Sequence, residues 1–181
     1  EKGVMPVIKH FAGNDQEYDR YRVSTEADER TLREIYLPPF EAAVKKAGVK
    51  AVMSGYNLLN GAHCTENPYL NKLLKEEWDF KGMYMSDWAA THSTLEAALN
   101  GLDLEMGSNS FLIRSKLLPL IKEGKISEQL IDEKVFRIYN ACMELGFFDR
   151  PQTIDSLTIY SPQNNQAALA TAREGIILLR N

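Results

Sequence analysis

Long apolar runs are missing from this 181-residue chain. No stretch approaches the ~18 residues that a membrane-spanning helix needs, so no membrane partner is expected. Cysteine is scarce: Cys64 and Cys142 are the only two. They are too few for a disulfide framework and lack metal-type spacing, so free thiols are the expectation and the redox compartment stays open. An excess of one charge is lacking too. The 21 basic and 25 acidic residues give a formal charge of -4, and the basic ones are spread along the chain rather than gathered with aromatics, which argues against a nucleic-acid partner. There is no phosphate-cradling glycine loop, no low-complexity tract and no internal repeat beyond an alternation of strand-like and helix-like segments. His63, Cys64 and Glu66 lie close in sequence, but no further residues are spaced to complete a metal site, so neither metal nor cofactor is expected. The opening EKGVMPVIKHF has no charged head or cleavage site of a signal peptide, nor any mark of a natural start.

What is present is an ordinary globular composition, 44% apolar and 25% charged, arranged as a β/α rhythm. Met5 to Phe11 is the first strand expected. Thr25 and Asp28 have capping-box spacing ahead of a helix with Leu32, Ile35 and Tyr36 on one face. Val49 to Tyr56 is a second strand, followed by an Asn60-Gly61 turn and a helix over Pro68 to Trp78. Met83 to Ser86 is a third, followed by a helix from His92 to Leu99, and Leu102 to Met106 is a fourth. Two helices come next, and in the second Ile131, Val135, Ile138, Cys142 and Leu145 recur at helical steps until Gly146 stops the pattern. The stretch DRPQTIDSLTIYSPQNNQ is polar and turn-rich, and leads to a short helix over Ala167 to Arg173 and a strand-like GIILLRN. The fold class expected is α/β, with four β/α units making half of an eight-stranded barrel.

In such folds ligands bind at the carboxyl ends of the strands. Lys9 and His10 close the first strand, Met53 and Tyr56 bracket the end of the second, Asp87 and Trp88 close the third in GMYMSDWAAT, and Asp103 and Glu105 lie in the fourth. A cation, an imidazole, a phenol, a carboxylate and a flat aromatic on one rim suit a sugar, whose hydroxyls take polar partners and whose C–H faces take an aromatic surface. Each also has a structural reading: an acid after a strand caps the next helix, a lysine and an acid at neighbouring strand ends form an ion pair, and a tryptophan fills a core.

The segments KHFAGNDQEYDR, DERTLREIYLPPFEAAV, AVMSGYNLLNG, MSDW and GLDLEM together resemble the catalytic barrel of glycoside hydrolase family 3, over almost the whole chain. The resemblance implies the C-terminal half of a (β/α)8 barrel over residues 1–150, a linker over 151–165, and the first helix and strand of an α/β sandwich over 166–181. It implies a retaining, exo-acting β-glucosidase releasing β-linked glucose from non-reducing ends, with a β-linked oligosaccharide or glycoside as substrate. Asp87 would be the nucleophile, Trp88 a wall for the sugar, Lys9, His10 and Arg20 partners of its hydroxyls, Tyr56 a neighbour of the nucleophile and Met53 an apolar wall. A secreted or periplasmic location fits the family. A branch of N-acetylglucosaminidases places a histidine in the loop after the first strand. GNDQEYDR has none, which argues against that branch.

Retention requires a second carboxyl group about 5 to 5.5 Å from the first. In most of the family it comes from the sandwich domain, so the resemblance implies an acid beyond Asn181 and, for partners, the rest of the barrel and the sandwich. A β-xylosidase of the same family, or a carbohydrate-binding or assembly subunit without catalysis, are the alternatives. Lys9 and His10 are neighbours in one strand and should face opposite sides, yet the resemblance gives both to the sugar. A cis peptide between them would reconcile the two, and the resemblance implies non-proline cis bonds in this segment, with Phe11–Ala12 as a second candidate; the alternative is a strand that ends at Lys9 and a twist that brings His10 inward.

Overall fold

Three of the apolar runs pair side by side. In the computed structural model, which describes residues 3–154, 156, 158 and 160–180, β1 (Val7–Phe11), β3 (Ala51–Ser54) and β6 (Met83–Met85) form a parallel sheet in the order β1-β3-β6. Val7 pairs with Ala51, and Ala51 with Met83. The strands are shorter than the apolar runs, because residues at each end turn away into loops. The Lys9–His10 and Phe11–Ala12 peptide bonds are both cis, as the resemblance implied, and the β1–β3 register shifts between Ile8 and Phe11.

The expected fourth strand at Leu102 to Met106 is not formed. It is reduced to a single parallel bridge, Met85 to Leu104. The side chain of Asp103 explains this: its Oδ2 accepts the Tyr84 amide at 2.8 Å, taking a donor that a ladder would have used. The Tyr84 carbonyl still receives the Asp103 amide, also at 2.8 Å.

A second small sheet sits in the connections. β2 (Ser24–Thr25) runs parallel to β4 (Leu58–Leu59), which forms an antiparallel hairpin with β5 (Ala62–His63). The hairpin turns on Asn60 and Gly61, both left-handed at φ 49° and 85°, the backbone that the Asn-Gly pair favours.

Helices cover one face of the parallel sheet. α1 (Glu29–Thr31) starts at Asp28, whose carboxylate accepts the Thr31 amide at 2.7 Å. Thr25 is therefore not the cap: it lies in β2, with its hydroxyl donating to the Gly13 carbonyl at 2.7 Å. The helix widens over Leu32–Tyr36, where the Leu37 amide reaches back five residues to Leu32. That widening leaves Leu32 buried and Ile35 exposed, against the expected shared face. α2 (Pro38–Lys45) follows. α3 (Pro68–Asn71), capped by Asn67, also widens over Lys72–Glu77. α4 (Leu95–Leu99) begins three residues later than expected, and α5 (Arg114–Lys122) and α6 (Glu128–Glu144) complete the first unit, which ends at Gly146. No helix among the described residues is long and apolar enough to cross a membrane.

Alternation along the strands divides the core. Phe11, Val52 and Tyr84 pack with Leu32, Leu37, Phe40, Leu73 and Trp78, and the Phe11 ring lies 5.1 Å from Phe40 and 5.8 Å from Trp78. The residues between them, Ala51, Met83 and Met85, form a separate cluster with Met5, Met53, Leu104 and Met106. Methionine fills irregular space well.

The second unit, Phe147–Asn181, holds α7 (Pro162–Gly175), capped by Ser161 with proline in its first turn. It is longer at both ends than the expected Ala167 to Arg173. The strand expected in GIILLRN is absent among the described residues: Ile176 to Leu179 are exposed and form no strand.

Asp103 also receives the Lys75 ammonium at 2.7 Å; the Asp103 side chain is buried and that of Lys75 is mostly so. Burial depresses the Lys75 pKa while Asp103 opposes that shift. Removing one partner strands a buried charge, so Asp103→Ala is expected to cost ~3–5 kcal/mol in urea unfolding. The double variant with Lys75→Met should cost less than the two single changes added together.

Candidate active site

β6 ends at Met85, and Asp87 stands just beyond it, only 5% exposed. His10, from the carboxyl end of β1, brings Nε2 to 3.0 Å from Asp87 Oδ2. The Trp88 amide donates to Oδ1 at 2.7 Å. The Tyr56 hydroxyl, in the loop after β3, is hydrogen-bonded to the same carboxylate. One carboxylate is thus oriented by groups from three successive strand ends. Burial first, then the hydrogen bond and negative charge of Asp87, raise the Tyr56 pKa, so the phenol is a neutral donor across the physiological range.

Arg20 lies in the loop after β1. Its guanidinium sits 4.1 Å from the centre of the Tyr56 ring and 5.5 Å from that of Tyr21, a cation–π arrangement. Tyr21 meets Tyr56 edge-on at 4.7 Å, and Glu17 pairs with Arg20 at 2.5 Å. Arg20 therefore reaches the surroundings of Asp87 through Tyr56. Tyr21 was not expected at the site, since nothing local in YDRYRV marks it apart from its neighbour Tyr18.

Trp88 is 60% exposed, so it is not core. Its ring lies over Gly107, where φ is +80° and a Cβ would come within 2.1 Å of the indole. Only glycine suits both the close approach and the left-handed backbone. Gly107→Ala is therefore expected to displace Trp88, seen as a shift in tryptophan emission, and to lower Tm through the strain of a Cβ at positive φ.

Met53 is half-buried in β3 and pairs in register with Met85, on the face that leads to Asp87. Lys9 is exposed and lines a cleft with His10, Asn14 and Asp15. No contact joins it to Asp87. The structure thus gathers Asp87, His10, Tyr56 and Trp88 directly, Arg20 through Tyr56, and leaves Lys9 and Met53 at the margins.

Asp103 and Glu105, expected on the rim, are otherwise engaged. Asp103 serves Lys75 and Tyr84, and Glu105 accepts the Ser110, Phe111 and Leu112 amides at 2.9, 2.9 and 2.7 Å. Those amides and Ser108 hold Glu105 below the usual carboxylate range against its burial. Buried Asn57 was also missed: its amide donates to the carbonyls of Leu58 at 2.9 Å and Ala12 at 3.2 Å, pinning the end of β1. A lone buried asparagine in a loop leaves no periodic trace in sequence.

His63 hydrogen-bonds to the Tyr56 backbone, and its ring stacks on His92, with centres 3.5 Å apart and planes 14° apart. Burial depresses the pKa of both, and His63 depresses His92 further. Their folded values therefore lie below the unfolded one. The stability they confer is complete above the ordinary histidine value near 6.5 and is lost as pH falls through that value toward the folded ones. Melting curves between pH 8 and 5 should show this loss, and His63→Asn with His92→Asn should flatten the slope. No group of three or more metal-ligating side chains occurs among the described residues.

Residues 1–141 match the family model described as the glycosyl hydrolase family 3 N terminal domain. A β-glucosidase of Rhizobium radiobacter is 45% identical over 181 residues, 99% of this chain and 22% of that protein. Among solved structures, a family 3 β-glucosidase of Bifidobacterium adolescentis superposes with a TM-score of 0.84 at 34% identity, over 99% of this chain and 26% of that one. β-Glucosidase 3B of Thermotoga neapolitana, solved in complex with glucose, gives 0.80 at 37% identity, again over 99% and 26%. The chain thus spans about a quarter or less of the length of these relatives.

Proposed function

The chain belongs to glycosyl hydrolase family 3, and from that premise we propose that it supplies the nucleophile and part of the first sugar subsite of a retaining, exo-acting β-glucosidase. The observation that carries this reading is the triple hold on Asp87 by His10, Tyr56 and the Trp88 amide. A carboxylate so held presents its oxygens in a fixed direction, which is what attack on an anomeric carbon requires. The bond forms between an Asp87 oxygen and C1 as the glycosidic C–O bond breaks, and the aglycone oxygen takes a proton from an acid. Tyr56, neutral and facing Asp87, donates to the carboxylate before attack. Arg20 and Lys9 take sugar hydroxyls, Met53 gives an apolar edge, and the exposed ring of Trp88 covers a C–H face of the substrate.

The acid lies elsewhere. The other rim carboxylates, Asp103 and Glu105, are already spent on Lys75 and on loop amides. The three parallel strands and the bridged segment after them are read as the C-terminal half of a (β/α)8 barrel within residues 1–150, with the methionine cluster on its inner face. Residues 151–165 are read as a linker and 166–181 as the start of a sandwich domain. The test is a chimera in which this chain replaces the matching segment of the Rhizobium radiobacter β-glucosidase. It should hydrolyse an aryl β-glucoside with kcat/KM well above that for the aryl β-xyloside. A preference for the xyloside would reassign the substrate, and glucose binding without turnover would mark a binding module.

A further inference from the structure

The loop that carries Asp87 and Trp88 is clasped by a segment whose hydrogen bonds go to the residues around that pair. Cys64–Glu66 form one turn after β5. The Tyr84 hydroxyl donates to the Cys64 carbonyl at 2.8 Å, rooting that turn on the strand that leads to Asp87. From it, Thr65 Oγ1 donates to the Ala90 carbonyl at 3.0 Å. Glu66 Oε1 accepts the amides of His92 at 3.0 Å and Ser93 at 2.5 Å. The Glu66 carbonyl receives the Asn100 amide group at 2.7 Å. On the other side the loop is tied by the Ala89 amide to the Met106 carbonyl at 2.9 Å and by Ser86 Oγ to the Met106 amide at 2.8 Å.

Between these ties Ala89 takes φ +56°, a left-handed conformation that disfavours any residue with a Cβ and persists only where surrounding contacts impose it. Ala89 directly follows Trp88. The path of residues 90–93 therefore sets how Trp88 and Asp87 leave the sheet, and Glu66 sets that path with a carboxylate that accepts two of its backbone amides and whose charge also acts on the His63 and His92 rings.

We infer that Glu66, with Thr65, is a positioning residue for the nucleophile, acting on the orientation of Asp87 and Trp88 through the backbone of residues 90–93. This rests on Asp87 being the nucleophile. A displacement of about 1 Å at the reacting atoms costs on the order of 10²-fold in rate, so loosening the clasp should act on kcat more than on folding.

The experiment uses the full-length chimera and its Glu66→Ala, Glu66→Gln and Thr65→Val variants. Active sites are titrated with 2-deoxy-2-fluoro-β-glucosyl fluoride, and kcat on an aryl glucoside is expressed per titrated site. Glu66→Ala should lower kcat per site and the rate of labelling by about 10- to 100-fold, with a smaller change in KM. Glu66→Gln, whose amide oxygen accepts the same two backbone amides, should restore most of the rate. Thr65→Val keeps the shape of the side chain and serves if Glu66→Ala does not fold; it should lower kcat per site severalfold. A lower Tm and a smaller titratable fraction with unchanged kcat per site, or failure of Gln to rescue, would reduce Glu66 to a structural residue and overturn the inference. Absence of any label on Asp87 in the parent chimera would remove the nucleophile reading, and this inference with it.

Discussion

Asp87→Gly in the full-length chimera is expected to lower kcat for an aryl β-glucoside by a factor on the order of 10⁴ or more, with a much smaller change in substrate binding. Loss of a nucleophile removes the covalent route altogether, and such losses are of that order where the group acts within a set. The cavity left by the carboxylate also gives a positive control. A small anion such as azide can enter it and attack C1 from the same side, so added azide should restore turnover and yield the α-glucosyl azide. If Asp87 instead only capped the following loop, Asp87→Gly would lower Tm, kcat per folded enzyme would change little, and azide would do nothing. Asp87→Asn is the more conservative companion, since its one amide oxygen keeps an acceptor for the Trp88 amide but attacks poorly.

The 181-residue chain alone is expected to show no steady turnover of cellobiose. An acid that protonates the leaving oxygen contributes roughly 10²- to 10⁴-fold, and on the proposed reading that acid is not among these residues. Aryl glycosides with good leaving groups should still react once with Asp87 and stop. Supplying the remaining sequence in the chimera should restore hydrolysis of both substrates. Steady cellobiose turnover by the isolated chain would show that the acid lies within it, and would return Asp103 and Glu105 to consideration despite their present partners.

The features legible in the sequence were those that physics writes into short-range pattern. Apolar runs bounded by loops gave β1, β3 and β6. Asn60-Gly61 gave its hairpin, because left-handed backbone is a local demand. The rim residues Asp87, His10 and Tyr56 followed from their place at strand ends. Other features depended on choices made across the fold. The fourth strand was lost because the Asp103 side chain, rather than its backbone, took the Tyr84 amide. The helix cap passed from Thr25 to Asp28 because Thr25 was drawn into β2 and toward Gly13. Glu66 and Tyr21 were invisible for the same reason: residues 26 positions apart, or a tyrosine beside an arginine, acquire a role only when the loops converge. Lys9 was placed on the rim by its strand end and at the sugar hydroxyls by resemblance, and its exposed position leaves that role to be tested by Lys9→Ala.

The measurement that tests the central claim most directly is covalent trapping. The chimera is incubated with 2-deoxy-2-fluoro-β-glucosyl fluoride, digested, and the labelled peptide sequenced by mass spectrometry. A fluoroglucosyl ester on Asp87, formed stoichiometrically and lost slowly with recovery of activity, is the predicted result; a label on any other carboxylate, or none on an enzyme that still turns over aryl glucosides, would contradict it.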